Sequence, residues 1–134
     1  MSEECSDYVD CRQVLKRIME RGVVKVYVTR HAVHRLIERC SSRVKKISDV
    51  VAADIVRNVV RDGFYKASTQ KIYIWTSSYL LVCTVDRALQ GVVVKTVMTK
   101  QDVRDEVRER LKRGLRARWS RIVVELTQAR SVSH

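Results

Sequence analysis

The sequence contains no proline, and its 134 residues include four glycines, which stand far apart at 22, 63, 91 and 114. Phosphate-cradling loops and dinucleotide-binding fingerprints need several glycines at short fixed spacing, so both are excluded. No apolar stretch approaches the about 18 residues that a membrane-spanning helix needs. The first ten residues, MSEECSDYVD, are acidic, whereas a signal peptide is basic and then apolar. We therefore expect a cytoplasmic protein with no membrane partner, in the host cytoplasm if the chain is viral.

Cysteine is sparse as well, and no pair among Cys5, Cys11, Cys40 and Cys83 has the short spacing of a zinc knuckle. We therefore expect no metal and no cofactor. Cys40 lies on an apolar helix face and Cys83 in an apolar strand-like run, and both positions are typical of buried thiols. Many valines and arginines with few Asn and Gln favour a thermophilic source, where a Cys5–Cys11 disulfide is an alternative to free thiols.

Acidic residues are outnumbered by basic ones, 15 against 27, which gives a formal net charge of +12 and a pI near 10.0. Such a charge attracts polyanions, and it favours a nucleic-acid partner over a basic surface that serves only solubility. We expect RNA rather than DNA.

Residue periodicity predicts one α+β domain over residues 1–134, in which helices pack against a small antiparallel sheet. The sheet is predicted as a three-stranded meander plus one N-terminal strand. The core is expected at about 23–100, with a helical extension over 1–22 and a charged helix and tail over 101–134. The predicted helices are 6–20, 30–40, 48–61 and 101–116, and the predicted strands are 23–29, 71–76, 79–86 and 91–99.

The helix predicted over 30–40 carries the one cluster of side chains that suggests proton transfer or phosphate binding. Val33, Leu36, Ile37 and Cys40 project on one side, and His31, His34, Arg35 and Glu38 on the other. Histidine can transfer protons near neutral pH, and arginine can hold a phosphate. From spacing alone, a solvated face held by His34–Glu38 and Arg35–Glu38 pairs is favoured over a catalytic one. A zinc site is less favoured than either, because helical zinc pairs use His at i and i+4.

Residues 28–39, VTRHAVHRLIER, resemble the His-Ala-x-x-Arg-x-x-x-Arg helix of the RelE/BrnT-like superfamily, with His31, Ala32, Arg35 and Arg39 at the motif positions. The resemblance covers about 23–100 and implies a RelE-like fold. Superfamily members with known activity are mRNA ribonucleases, usually the toxins of toxin–antitoxin pairs, so it also implies an antitoxin partner. Two features depart from the pattern: Cys40 replaces a glycine that often follows the last arginine, and both chain ends lie outside the resemblance.

If this resemblance holds, the chain is a metal-independent endoribonuclease, or a degenerate relative that only binds RNA. His31 would then transfer a proton, and Arg35, Arg39 and Lys95 would act on the phosphate. Tyr73 and Trp75 alternate outward on one strand, where they would either stack on bases or pack the sheet.

Further phosphate contacts are expected from Arg104, Arg108 and Arg113 on the charged helix. A rival interpretation is a non-enzymatic DNA-binding module, in which the helices of 30–61 approach a helix-turn-helix and Arg57 and Arg61 face phosphate. Against it, residues 41–47 are too many for the tight turn of that motif. A third interpretation is a homo-oligomeric structural protein, for example of a virus or mobile element, in which the end extensions would form a homodimer interface.

Overall fold

The computed structural model describes residues 10–40, 49–86, 91–111 and 113–127, and at Arg39, Cys40, Lys100 and Arg110 only the backbone. The helices are α1 (Cys11–Arg21), α2 (Arg30–Cys40), α3 (Asp49–Asp62) and α4 (Asp105–Arg110), with a 3-10 turn at Lys100–Asp102. The strands are β1 (Val23–Val28), β2 (Phe64–Ala67), β3 (Ile72–Trp75), β4 (Tyr79–Val85), β5 (Gly91–Thr99), β6 (Leu115–Arg116) and β7 (Arg121–Leu126).

All seven strands belong to one mixed sheet in the order β6-β2-β3-β4-β5-β1-β7. Strands β2 to β5 form an antiparallel meander, and β6 extends it on one side. On the other side β1 pairs in parallel with both β5 and β7. The prediction of a small antiparallel sheet with RelE-like topology is therefore wrong. The broader prediction of an α+β protein is compatible with the structure.

The sheet is curled into a half-barrel, and the chain connectivity requires this shape. Strands β6 and β7 lie at opposite edges, yet only residues 117–120 connect them. Five residue steps span at most about 18 Å, whereas the edges of a flat seven-stranded sheet lie about 29 Å apart. Within this connection the Trp119 indole nitrogen donates a 2.8 Å hydrogen bond to the Tyr65 hydroxyl. That hydroxyl in turn donates to the carbonyl of Val60, also at 2.8 Å.

Helices α1, α2 and α3 share one hydrophobic core with one face of the sheet, which we call the inner face. Strand residues alternate, so that Val24, Val26 and Val28 are fully buried while Lys25 and Tyr27 point to the opposite, outer face. The same alternation continues through the meander, and it leaves the outer face half-exposed over most of its area. Each strand therefore contributes to the core with one set of residues and to a solvent-facing surface with the other.

Three strands were not predicted, because their signals are short or non-local. Strand β2 has four residues and β6 has two, too few for a clear alternation. Residues 121–126, which lie in the predicted tail, form β7 by pairing with β1 from the far end of the chain. Local periodicity carries no information about a partner so distant in sequence.

The predicted helix 101–116 is also wrong, because it breaks into a 3-10 turn, the six-residue α4 and strand β6. The Asp102 carboxylate accepts hydrogen bonds from the Thr99 backbone amide and hydroxyl, which fixes a turn at the end of β5. At Gly114 the chain approaches Trp75 so closely that an added Cβ would lie 2.5 Å from the indole. The first described helix begins at Cys11, after an Asp10 cap, and residues 6–9 of the helix predicted over 6–20 lie outside the described part.

Candidate nucleic-acid interface

The outer face carries a row of four cross-strand neighbours, which we call the outer row: Lys66, Tyr73, Val82 and Thr96. They lie on four adjacent strands, so the backbone positions of Lys66 and Thr96 are about 14 Å apart across three strand spacings. All four side chains are half-exposed. In the described part of the chain, the Tyr73 ring and hydroxyl make no hydrogen bond or ring contact. The row therefore offers a free aromatic surface close to a cation.

A β-bulge adds a second cation at the Thr96 end of the outer row. Val82 pairs with Thr96, but the next residue, Cys83, pairs with Val94, so Lys95 is an extra residue in β5. Bulges of this kind redirect side chains and are common beside functional sites. The Lys95 side chain is exposed, and its ammonium has no partner among the described residues.

The Thr29 hydroxyl joins this bulge to the start of α2. It donates to the carbonyl of Val94 at 3.0 Å, and the carbonyl of Lys95 lies at 3.4 Å. The same oxygen accepts a 3.1 Å hydrogen bond from the backbone amide of Ala32, which caps α2. The first turn of α2, with His31 on it, is therefore fixed next to the bulge that carries Lys95.

The polar face predicted on α2 exists and forms one connected network. The Arg35 Nε donates to His31 Nε2 at 3.4 Å, and an Arg35 terminal nitrogen lies 3.3 Å from a Glu38 oxygen. His34 Nε2 lies 3.3 Å from the other Glu38 oxygen. Val33 and Leu36 are buried as predicted, and the side chains of Arg39 and Cys40 lie outside the described part.

One detail of that helical projection is wrong. Ile37 is 36% exposed, and Ala32 takes the inward position instead. The buried side chains of α2 therefore include Ala32 in its first turn and exclude Ile37. The helix packs on β5.

Tyr73 and Trp75 both point to the outer face, but their surroundings differ. Trp75 stacks on Phe64 with ring centroids 5.9 Å apart, and Gly114 packs against it. It also lines a pocket of about 210 Å³ with Leu80, Leu111 and other residues of the 103–111 segment. Trp75 is thus held in a small apolar cluster, whereas Tyr73 remains available.

The arginines predicted to face phosphate from the helices have acidic neighbours. Arg57 pairs with Asp54 at 3.2 Å. Arg61 makes two 3.0 Å hydrogen bonds to Asp62, and this guanidinium lowers the pKa of the Asp62 carboxyl. Arg57 and Arg61 are therefore each paired with an acidic side chain on α3, which contributes Ala52, Val56, Val59 and Val60 to the core.

Arg104, Arg108 and Arg113 do not share a helix face, because α4 covers only Asp105–Arg110. Arg104 precedes that helix, Arg108 lines the pocket beside Trp75, and Arg113 lies beyond it near the β6 edge. All three side chains are exposed.

The β1–β7 end of the outer face carries charges of both signs, with Lys25 and Arg121 on the same face as Glu125. Burial, with the carboxylates of Asp86 and Glu125 nearby, raises the pKa of the Tyr27 phenol.

The sequence predicts Lys95 and Tyr73 as candidate site residues, but it does not predict Lys66 or Thr29. Lys66 was missed because its strand, β2, was not predicted. The capping position of Thr29, one residue before α2, was a usable signal.

Cys11 and Cys83 are buried free thiols, and burial raises the pKa of each, while Cys5 lies outside the described part. Nowhere in residues 10–40, 49–86, 91–111 and 113–127 do three His, Cys, Asp or Glu side chains come together as metal ligands. Within the same ranges, no helix has the length and apolarity to cross a membrane. Comparisons with family models, with curated proteins and with solved structures return no match to this chain.

Proposed function

We propose that this protein binds single-stranded RNA across the outer face of its sheet. The observation that carries the proposal is the outer row, with the free Tyr73 ring inside it, Lys66 at one end and Lys95 beside the other. Proteins that bind single strands combine an aromatic stacking surface with cations that follow the backbone. Four-stranded sheets with exposed aromatics bind two or three splayed bases in this way.

The dimensions and charges of the outer row suit such a strand. A base stacks on Tyr73, and the lysines contact phosphates on both sides of it. The Thr96 hydroxyl can exchange a hydrogen bond with a ribose 2′-hydroxyl, which DNA lacks. The net charge of +12 draws the polyanion toward the protein over a longer range.

The test is binding of a fluorescent mixed-sequence single-stranded RNA, measured by anisotropy, with DNA of the same sequence as comparison. Tyr73→Ala is expected to weaken binding about tenfold, since stacking contributes about 1–3 kcal/mol per base. Tyr73→Phe keeps the ring and should bind as the wild type does. Lys66→Glu with Lys95→Glu should weaken binding further and reduce its salt dependence.

The matched control is Arg17→Glu, an exposed charge reversal on the helical side of the protein. If Arg17→Glu weakens RNA binding as much as the lysine changes, binding follows net charge alone and the outer row is not the site. Wild-type affinity in Tyr73→Ala contradicts the proposal equally.

The Thr29 hydroxyl holds the first turn of α2, with His31, next to the bulge that carries Lys95. This proximity favours a second function, the metal-independent cleavage of the bound RNA. Arg35 would turn from His31 to the phosphate, and the His31 Nε2 lone pair freed in this way would remove the proton from a ribose 2′-hydroxyl. The 2′-oxygen then forms a bond to the adjacent phosphorus, and the bond from phosphorus to the 5′-oxygen breaks. Arg35 stabilises the charge that develops on the phosphate, and the Lys95 ammonium protonates the leaving 5′-oxygen.

Cleavage is tested on the same RNA, with and without ribosomes. His31→Ala should lower the cleavage rate about 10²–10⁴-fold while affinity stays nearly unchanged, because a proton-transfer group contributes little to ground-state binding. His34→Ala, on the same helix face, is the control and should retain cleavage. Arg35→Ala should lower both rate and affinity, and EDTA should have no effect. A wild-type protein that binds RNA but cleaves it in neither condition retains the first function and loses the second.

A further inference from the structure

An open cavity of about 610 Å³ lies between α1 and the β2–β6 edge of the sheet, and Lys66, at one end of the outer row, is among its lining residues. Its apolar surface includes Leu15, Met19, Tyr65 and Leu115. Leu115 is the cross-strand partner of Tyr65, so both side chains belong to the inner face. Tyr65 is fully buried, yet Leu115 is 62% exposed because the cavity beside it is open. This volume is within the usual range of small-molecule sites, about 300–1,000 Å³.

Cations surround this apolar floor on two sides. Arg12 and Lys16 come from α1, Arg113 comes from the chain that leads into β6, and Lys66 comes from β2. Arg12 is already held by Asp10 through hydrogen bonds of 3.1 and 2.8 Å. The ammonium of Lys16 and the guanidinium of Arg113 have no partner in the part of the chain that the structure describes. One carboxylate, that of Glu20, lies on the same rim.

We propose that this cavity binds a nucleotide, with the base and ribose on the apolar floor and the phosphate between Lys16 and Arg113. Arginine holds a phosphate through two parallel hydrogen bonds, and lysine adds a point charge. A fatty acid, the other common amphipathic anion, has a long chain and a single carboxylate. This cavity is open and takes cations from separate elements, α1 and the chain before β6, which suits a doubly charged phosphate better than a single carboxylate.

Adenosine 5′-monophosphate is the probe, and Trp119 is the reporter, because its indole is hydrogen-bonded to the cavity residue Tyr65. The chain has two tryptophans, so Trp75→Phe leaves Trp119 as the only source of indole fluorescence. Saturable quenching by the nucleotide is expected, with weaker or no response to adenosine. Calorimetry on the unmodified protein provides the second measurement.

Charge reversal identifies the site. Lys16→Glu and Arg113→Glu should each weaken nucleotide binding about tenfold or more, which corresponds to the loss of one charge-assisted contact. Arg17→Glu reverses the neighbouring charge on the other side of α1 and should leave binding unchanged. Leu115→Asp, at an exposed position, places a negative charge at the apolar floor and should also abolish binding.

The nucleotide can be a free metabolite or the terminal residue of an RNA, and two oligonucleotides distinguish these sources. If the cavity holds an RNA terminus, a 5′-phosphorylated strand binds more tightly than its 5′-hydroxyl form, and Lys16→Glu removes the difference. That difference should persist in Tyr73→Ala, which separates this site from the outer row. Equal binding of both strands, with adenosine monophosphate still bound, assigns the site to a free nucleotide.

Two results would overturn the proposal. The first is no response to adenosine monophosphate at about 1 mM, a concentration that detects even weak sites. The second is a decanoate affinity equal to that of the nucleotide, with the same sensitivity to Lys16→Glu. Neither result bears on Tyr73, which does not line the cavity, whereas Lys66 belongs to both sites.

Discussion

The two faces of the half-barrel are made by the same strands and have opposite properties. On the inner face valines and isoleucines are fully buried, and on the outer face lysines, threonines and aromatic residues are half-exposed. Two tyrosines show the contrast most clearly. Tyr65, on the inner face, holds the Val60 carbonyl and the Trp119 indole, whereas Tyr73, on the outer face, has no such partner among the described residues.

For these two tyrosines, the face of the strand rather than the residue type decides which one is buried and hydrogen-bonded. Tyr65 and Tyr73 lie on adjacent paired strands, yet Tyr65 pairs with Ile74 and Tyr73 pairs with Lys66. Successive side chains of a strand point to opposite faces, so a shift of one residue decides whether a tyrosine is buried in the core or exposed on the outer face.

The two faces should differ most in the stability lost when an aspartate is introduced. Val94→Asp and Val93→Asp test this at adjacent positions of β5. Val94 is fully buried, and an aspartate there would leave a buried, unpaired carboxylate, which should cost more than about 4 kcal/mol and unfold the protein. Val93 is half-exposed on the outer face, and its variant should lose less than about 1.5 kcal/mol. Urea unfolding followed by circular dichroism measures both, and similar losses would mean that the two faces do not differ as described.

The tyrosine pair provides a finer comparison. Tyr65→Phe leaves the Trp119 indole and the Val60 carbonyl without their partner, which should cost about 1–3 kcal/mol of unfolding free energy. Tyr73→Phe removes a hydroxyl with no described partner and should change stability by less than about 0.5 kcal/mol. Thermal unfolding of both variants at neutral pH is the measurement, and a stability loss in Tyr73→Phe that matches Tyr65→Phe would refute the assignment.

Alkaline pH should destabilise the protein partly through Tyr65. Burial raises the pKa of its phenol, so the folded state keeps the proton at pH values where the unfolded chain, with a pKa near 10.0, releases it. This contribution is fully present below pH 10 and is lost above it, at up to about 1.4 kcal/mol per pH unit. Tyr65→Phe should therefore lose stability less steeply than the wild type between pH 10 and 11. Parallel curves would show that the phenol is not buried.

The smallest effect on stability is expected from neutralising the outer lysines. Lys66→Gln with Lys95→Gln should change the unfolding free energy by less than about 1 kcal/mol, because exposed charges contribute little to folding. The same variant should reduce the slope of log affinity for RNA against log salt by about two, one for each lost phosphate contact. A large stability loss with an unchanged slope would assign both lysines to the fold instead.

Several parts of this architecture follow from sequence patterns, and others do not. The helix over 30–40, strand β1 and the β3-β4-β5 meander are encoded by strong local periodicity, and the structure has them within one or two residues. The exposure of His31 and His34 followed from the helical projection. The exposure of Ile37 did not follow from that projection, because the side of α2 that faces the core depends on how the helix packs on β5. The bulge at Lys95 was not predictable either, since it exists only relative to the register of β4.

Strand β7 has a consequence for how the protein is made. Val23 pairs with Arg121, so β1 leaves the ribosome about 98 residues before its outer partner. At synthesis rates of about 5–20 residues per second, this interval is roughly 5–20 s. During that time the nascent chain carries a valine-rich strand with an unpaired edge, the kind of surface that aggregates or binds chaperones. Translation of the last strand therefore sets the earliest moment at which the whole sheet can form.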